Sequence, residues 1–246
     1  MMFEDYPKKR PALPAELEAV YRQHYRSNRH GDTPASGLAQ KMERWLHKKV
    51  ASDVDSVHQK RTLEIGAGTL NQLDYEQSSH YDIVKPFRNL YADSPFLEKI
   101  KTIYSDIEEI DSTSAYDRIT SVATFEHITD LPEVIARTCL LLAPGGCLRT
   151  SIPSEGGFLW KLGWKLTTGL EFRFRYGMDY GILMRHEHVN TAAEIEEILH
   201  YFYRINHCSS FGLSKGFSFY RFYESREPNT DLARDYLSKN SNVRDE

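Results

Sequence analysis

The sequence predicts an α/β fold: a doubly wound sheet of seven strands, mostly parallel, with helices on both faces. Three observations carry this expectation. A short apolar run breaks into a glycine turn, Arg61-Thr-Leu-Glu-Ile-Gly66-Ala67-Gly68, where a fold of this class binds a nucleotide-like ligand. From Thr62 onward, short apolar runs alternate with segments of helical spacing, which argues for parallel strands joined by right-handed crossovers. Two more apolar runs then close the series.

A chain of 246 residues suits one domain with additions. It is 40% hydrophobic and 27% charged, ordinary for a water-soluble protein. The net charge of -4 supplies no overall basic field that would draw nucleic acid. No apolar run is long enough to span a membrane, and residues 1–10 lack the apolar core of a signal peptide. Cys139, Cys147 and Cys208 show no metal-type spacing, and a reducing cytoplasm is the simplest setting.

Taken in order, residues 1–13 read as an extended lead-in. Pro14 to about Arg29 reads as a helix, with Leu17, Val20, Tyr21 and Tyr25 at helical spacing. A second helix is expected from about Pro34 to Val50, with Leu38, Met42, Trp45 and Leu46 on one face. Residues 1–59 thus form an N-terminal helical addition. It covers a sheet edge or, through Tyr21, Tyr25 or Arg26, helps close a pocket. The main domain is expected over 60–226, with strands at Thr62–Ile65, Tyr81–Val84, Thr102–Tyr104, Ile119–Ala123 and Cys147–Ile152. Helices should fill most gaps. The clearest runs from Leu131 to Leu142, with Pro132 near its start and Pro144-Gly-Gly146 as its stop.

Residues 154–189 break the alternation after the fifth strand. This insertion is aromatic and basic, and its rings suit a satellite core, an acceptor wall, or a dimer or membrane-surface contact. Thr191 caps the next helix, with Glu194 completing a capping box. The final strands fall near Tyr203–Ser209 and Gly216–Tyr223. Residues 227–246 are polar and read as a flexible tail.

Glu64-Ile-Gly66-Ala-Gly68 resembles the first motif of the class I, Rossmann-like S-adenosylmethionine (SAM) methyltransferases. Tyr104-Ser-Asp106-Ile107, Thr124-Phe-Glu126-His127 and Leu142-Ala-Pro144-Gly-Gly146 resemble later motifs in the same order. The resemblance covers roughly residues 60–155. It implies that one of the two closing strands runs antiparallel and that SAM is the cofactor. It implies further that Gly66, Ala67 and Gly68 form the cofactor turn and that Glu64 orients the amino-acid end. Asp106 then accepts from the adenine amino group, Ile107 offers an amide or an apolar face to the ring, and the backbone at Thr124 and Phe125 lies beside the methionine part. A dinucleotide site, the rival reading, wants a third glycine where this chain has Thr69-Leu70-Asn71.

One position departs from the pattern. The residue after the second strand should be an acid that accepts from both ribose hydroxyls. Here it is Lys85, which only donates, and Asp82 lies three residues early. Asp106 also has a plainer role as a helix cap.

For catalysis, His127 is a candidate general base, or equally a structural residue hydrogen-bonded to a neighbouring loop. In Arg185-His186-Glu187-His188, an extended backbone would turn His186 and His188 to one side, toward an acceptor. Together with Glu126 and His127 they resemble the Glu/His metal site of some methyltransferases. That pattern's further glutamate falls on Ala123, and no metal is expected. The sequence therefore points to a cytoplasmic SAM-dependent methyltransferase acting on a small molecule, an oxygen of a sugar or similar polar metabolite. A non-catalytic SAM-binding protein and an RNA or protein methyltransferase are the alternatives, and a homodimer is left open.

Overall fold

The structure, a computed structural model, describes residues 3–18, 37–54, 60–85, 91–166 and 168–244. Helix α1 (Gly37–Ala51) leads into β1 (Arg61–Ile65), β2 (His80–Val84), β3 (Ile100–Tyr104) and β4 (Tyr116–Val122). Helix α2 (Leu131–Leu141) and β5 (Leu142–Pro153) complete the parallel part. Three short helices follow: α3 (Phe158–Leu166), α4 (Thr168–Tyr176) and α5 (Tyr180–Glu187). Helix α6 (Ala192–Phe202), β6 (Tyr203–Ser214), β7 (Phe217–Pro228) and α7 (Thr230–Arg244) close the chain.

The seven strands form one sheet in the order β3-β2-β1-β4-β5-β7-β6. Strands β1 to β5 pair in parallel, and β7 runs antiparallel to both of its neighbours. The expected fold class is the observed one. Central strands of such a sheet are covered on both faces, and Leu63, Ile83, Ile119 and Leu148 are all fully buried. On one face α2, α6 and α7 pack together through Ile135, Ile198, Phe202 and Tyr236. On the other, α1 lies against β4, β5 and β7.

Two buried arginines fix α1. Arg118 donates to the Val50 carbonyl at 3.0 Å, and Arg149 to the Val50 and Lys49 carbonyls at 2.9 and 2.7 Å. These are end-of-helix carbonyls with no partner inside the helix, so cations from β4 and β5 cap it. Arg118 is held in turn by Glu76 through two bonds of 2.7 and 3.1 Å.

Three expectations are corrected. Helices do not fill most gaps: among the described residues, the connections between β1 and β4 carry only single 3₁₀ turns at Asn71–Asp74, Leu97–Lys99 and Ile107–Glu109. Side chains there compete with helix formation. Asp111 accepts from both the amide and the hydroxyl of Thr113, and Asp106 from the amide of Glu108.

The flexible tail expected over 227–246 is corrected for its described residues, 227–244. Asn229 accepts from the Leu232 amide, α7 follows, and Ala233 and Tyr236 enter the main core. Two or three buried side chains at helical spacing suffice to dock a helix, and a mostly polar composition conceals them.

Within the insertion, the segment holding His186 is helical, not extended. Asp179 caps α5 by accepting from the Gly181 amide at 2.9 Å, and Leu183 and Met184 bury its inner side. The rest of the first expected helix, including Tyr21, Tyr25 and Arg26, lies outside the described residues. Residues 15–18 are helical, and Leu17 packs with Phe172 and Leu183 in a satellite core.

The lead-in is tied down along its length. The Tyr6 hydroxyl donates to the Asn190 side chain at 2.9 Å, the Lys8 amide to the Thr129 carbonyl at 2.9 Å, and Arg10 to the carbonyls of His186 and Glu187 at 2.9 and 3.0 Å.

Candidate active site

The site grows from the carboxyl ends of β1 and β4, where the strand order turns back on itself. Gly66 follows β1 with φ +74° and donates to the Val84 carbonyl at the end of β2. A Cβ added there would lie 2.2 Å from Thr124 Cγ2 and 2.4 Å from its Oγ1. Gly66 is therefore required twice, by its backbone angle and by the side chain pressed against it. Thr124 Oγ1 donates toward the Gly66 carbonyl at 3.3 Å, locking the two loops together. Ala123, just before it, sits at φ +47°. A non-glycine residue in the left-handed region is strained, and such residues gather at ligand sites.

Two connected clefts open here. The larger, 580 Å³, runs past Gly66, Lys85, Asp106, Ile107, Thr124 and His127. The smaller, 410 Å³, lies toward α1 and is walled by Met42, Leu46, His47, Glu64 and Tyr220. Gly66, Gly68, Val122 and Ala123 border both, and Ala67 borders the smaller. Glu64 is 2% exposed and accepts from the Tyr81 hydroxyl at 2.9 Å. Burial, helped by nearby Glu76, pushes its carboxyl up to about 8.

Lys85 lines the larger cleft beyond the end of β2. Asp82 lies fully buried inside the strand, accepting from the Tyr116 hydroxyl at 2.9 Å, and borders neither cleft. Asp106 faces the larger cleft and also caps its 3₁₀ turn. The Phe125 side chain is fully buried in the core, its carbonyl accepts from Asn190 at 2.8 Å, and it borders neither cleft.

The three histidines separate. His127 lines the larger cleft, with Nδ1 2.9 Å from the Glu187 carbonyl. A carbonyl only accepts, so Nδ1 carries the proton and Nε2 is the basic atom of the neutral ring. His186 binds the Pro11 carbonyl at 2.7 Å on the exposed rim. His188 ends α5 and turns the other way, with Nδ1 2.8 Å from Glu155 and its ring stacked on Trp160. Helical geometry sets residues two apart about 200° from each other, so the two histidines do not share a side. The rings of His127 and His188 still meet edge to face at 4.8 Å.

Glu126, 1% exposed, closes the group. Its Oε1 is 3.8 Å from His127 Nε2, and its Oε2 has no hydrogen-bond partner among the described residues. Potential ligand atoms of Glu126, His127 and His188 lie within 4.8 Å of one another. Burial pushes the Glu126 carboxyl up to about 7, against the pull of His127. A carboxyl raised in the folded state favours folding below its unfolded value near 4.5, and that contribution is lost as pH rises through 7. Glu126→Gln should therefore flatten the fall in stability between about pH 4.5 and 7, by roughly 2–3 kcal/mol. Thermal melts of both proteins across that range check it, and parallel curves would contradict it.

Several site residues lack a local sequence signal. Arg10, Glu155, Glu187 and Tyr220 reach the site from the lead-in, the end of β5, α5 and β7. Only the acid just after the fifth strand, Glu155, stands where a strand-end position could have marked it.

No protein-family model matches the chain, and no curated protein sequence matches it. Solved structures do. The chain resembles the plantazolicin methyltransferase BpumL, solved with a monoazolic desmethylPZN analog and SAH, at TM-score 0.56 and 13% identity, covering 86% of this chain and 92% of that one. It resembles a SAM-dependent methyltransferase of Thermotoga maritima, described as a possible histamine N-methyltransferase, at TM-score 0.54 and 13% identity, covering 86% and 98%. The CurJ carbon methyltransferase gives TM-score 0.53 and 18% identity over 86% of this chain, which spans 61% of that longer one. At these identities the likeness is one of fold, and the chain folds as SAM-dependent methyltransferases do.

Proposed function

We propose that this protein is a SAM-dependent methyltransferase that methylates a small polar acceptor, an oxygen of a sugar or a similar metabolite. The observation that carries the reading is the cleft across the strand ends, with Gly66 pressed under Thr124 and Glu64 buried beside it. The residues fit SAM. A Cβ would fill the cradle at Gly66, and a ligand without phosphates has no need of a third glycine. Gly66, Ala67, Gly68 and Thr124 would hold the amino-acid end near Glu64. Lys85 would donate to a ribose oxygen, and Asp106 and Ile107 would take the adenine.

SAM supplies a methyl group on a positively charged sulfur. The protein's part is to place the acceptor in line with that methyl and exclude water. Arg10, His127, His186 and Glu187 border the cleft beyond Thr124, a polar rim suited to a hydroxylated acceptor. His127 Nε2 is placed to take the acceptor's proton, while Glu187 fixes the ring and His188 supports it from behind. A base at the cleft suits an oxygen acceptor, whose hydroxyl must lose its proton as the methyl arrives, better than a neutral amine, which attacks with a free lone pair.

Titration calorimetry with SAM and S-adenosylhomocysteine tests the cofactor, and no heat with either would refute the reading. Lys85→Glu should bind SAM at least as tightly as the parent, since a carboxylate accepts from both ribose hydroxyls. Weaker binding by a folded variant would place the ribose elsewhere. With an acceptor found by screening sugars and polyols against labelled SAM, His127→Ala should slow transfer about 10²-fold or more and leave SAM affinity unchanged. Full turnover would leave positioning alone as the mechanism.

A further inference from the structure

Five of the six exposed large apolar side chains among the described residues lie on the insertion and the β6–β7 hairpin: Phe158, Leu162, Phe174, Leu213 and Phe217. Phe158 is 63% exposed, Phe174 88% and Leu213 89%. Scattered exposed apolar residues need no explanation, but a concentration of them does.

Helix α3 shows how the concentration is built. Its inner side docks through Trp160, Gly163 and Trp164. Trp160 meets Tyr220 of β7 edge to face at 5.3 Å, and Trp164 packs on Tyr180 at 5.9 Å. A Cβ at Gly163 would lie 2.9 Å from the ring of Phe219, so glycine lets the helix sit close to β7. Phe158, Lys161, Leu162 and Lys165 recur at helical spacing on the outer side, all exposed. Phe158 also stacks on Phe217 at 6.1 Å, joining the helix to the hairpin tip. On α4, Phe174 stands exposed between exposed Arg173 and Arg175. Residues 156–178 contain four basic residues and one acid, in a chain of net charge -4.

We propose that this face docks on an anionic lipid surface. The outer stripe of α3 alternates apolar and basic side chains, as interfacial helices do. Its aliphatic and aromatic groups would enter the headgroup layer while the basic groups meet lipid phosphates. An RNA would use the charges and stack on the phenylalanines, but would leave Leu162 and Leu213 in water. Helix α3 also adjoins the smaller cleft, because its inner residue Trp160 packs on Tyr220, which lines that cleft. The inference stands apart from the methyltransferase reading.

The test is flotation of the whole protein with vesicles of phosphatidylcholine alone and with vesicles containing phosphatidylglycerol. Binding to the anionic vesicles is expected, weakened by salt. Lys161→Glu with Lys165→Glu, and separately Phe158→Ser with Leu162→Ser, should each reduce it about tenfold or more. These side chains are exposed, so thermal melts should stay at the parent value. No flotation with anionic vesicles overturns the proposal. So does equal binding to both vesicle types that the charge reversals leave intact. A dimer in light scattering that the serine variants dissociate would overturn it too, showing that a second copy covers the face.

Discussion

Gly66→Ala should abolish measurable SAM binding and lower stability by about 2–5 kcal/mol. The sum has two parts: the left-handed backbone costs a non-glycine residue roughly 1–2 kcal/mol, and overpacking adds roughly 1–3. The new Cβ would lie 2.2 Å from Thr124 Cγ2, so either loop must move, and both border the cleft. Gly68→Ala is the control. Its φ is +54°, but the space around it is open, with only the Gly66 carbonyl oxygen at 4.0 Å. That variant should show the backbone cost alone. Adding Thr124→Ala to Gly66→Ala should return part of the stability, because it removes the two nearest atoms. Calorimetry and melting curves for the set decide the matter. If Gly66→Ala binds SAM like the parent, the glycine turn is not the cofactor cradle.

The second large effect lies behind the cleft. Glu76→Leu should cost about 3–5 kcal/mol, the usual range for breaking a buried ion pair from one side. Glu76 and Arg118 are both 0% exposed in their side chains. The arginine would keep only Asp53, at 3.3 Å, as an anionic partner. Combining Glu76→Leu with Arg118→Met should recover most of the loss, since a matched apolar pair removes the stranded charge. Urea unfolding measures both. A single-variant cost below about 1 kcal/mol would mean that Asp53 suffices. The effect reaches the site, because Arg118 caps α1, and α1 carries Met42, Leu46 and His47 on the wall of the smaller cleft.

These cases mark where sequence is informative. Strands β1 to β5 were legible because each is a short apolar run, and the glycine turn was legible because a sharp strand-to-ligand bend leaves few alternatives to glycine. The capping box at Thr191 was legible because both partners lie within one turn of helix. What escaped depends on distance or on small numbers. The docking of α7 rests on a few side chains in a polar stretch. Among the described residues, the 3₁₀ turn in place of a helix between β3 and β4 goes with side-chain bonds that no periodicity records. The separation of His186 from His188 follows from a cap at Asp179, seven residues before His186. Of the site's outer rim, Arg10 was invisible because its partner carbonyls lie 176 and 177 residues away.

That last separation has a consequence in time. Tyr6 and its partner Asn190 stand 184 residues apart. During synthesis at about 5–20 residues per second, the lead-in waits roughly 10–40 seconds before the residues that anchor it exist. Throughout that interval the strand ends can pair and the sheet can grow, but Arg10 has no carbonyls to bind. The rim at Arg10 is therefore completed only after residues 186 and 187 exist, later than strands β1 to β5 and before β6 and β7.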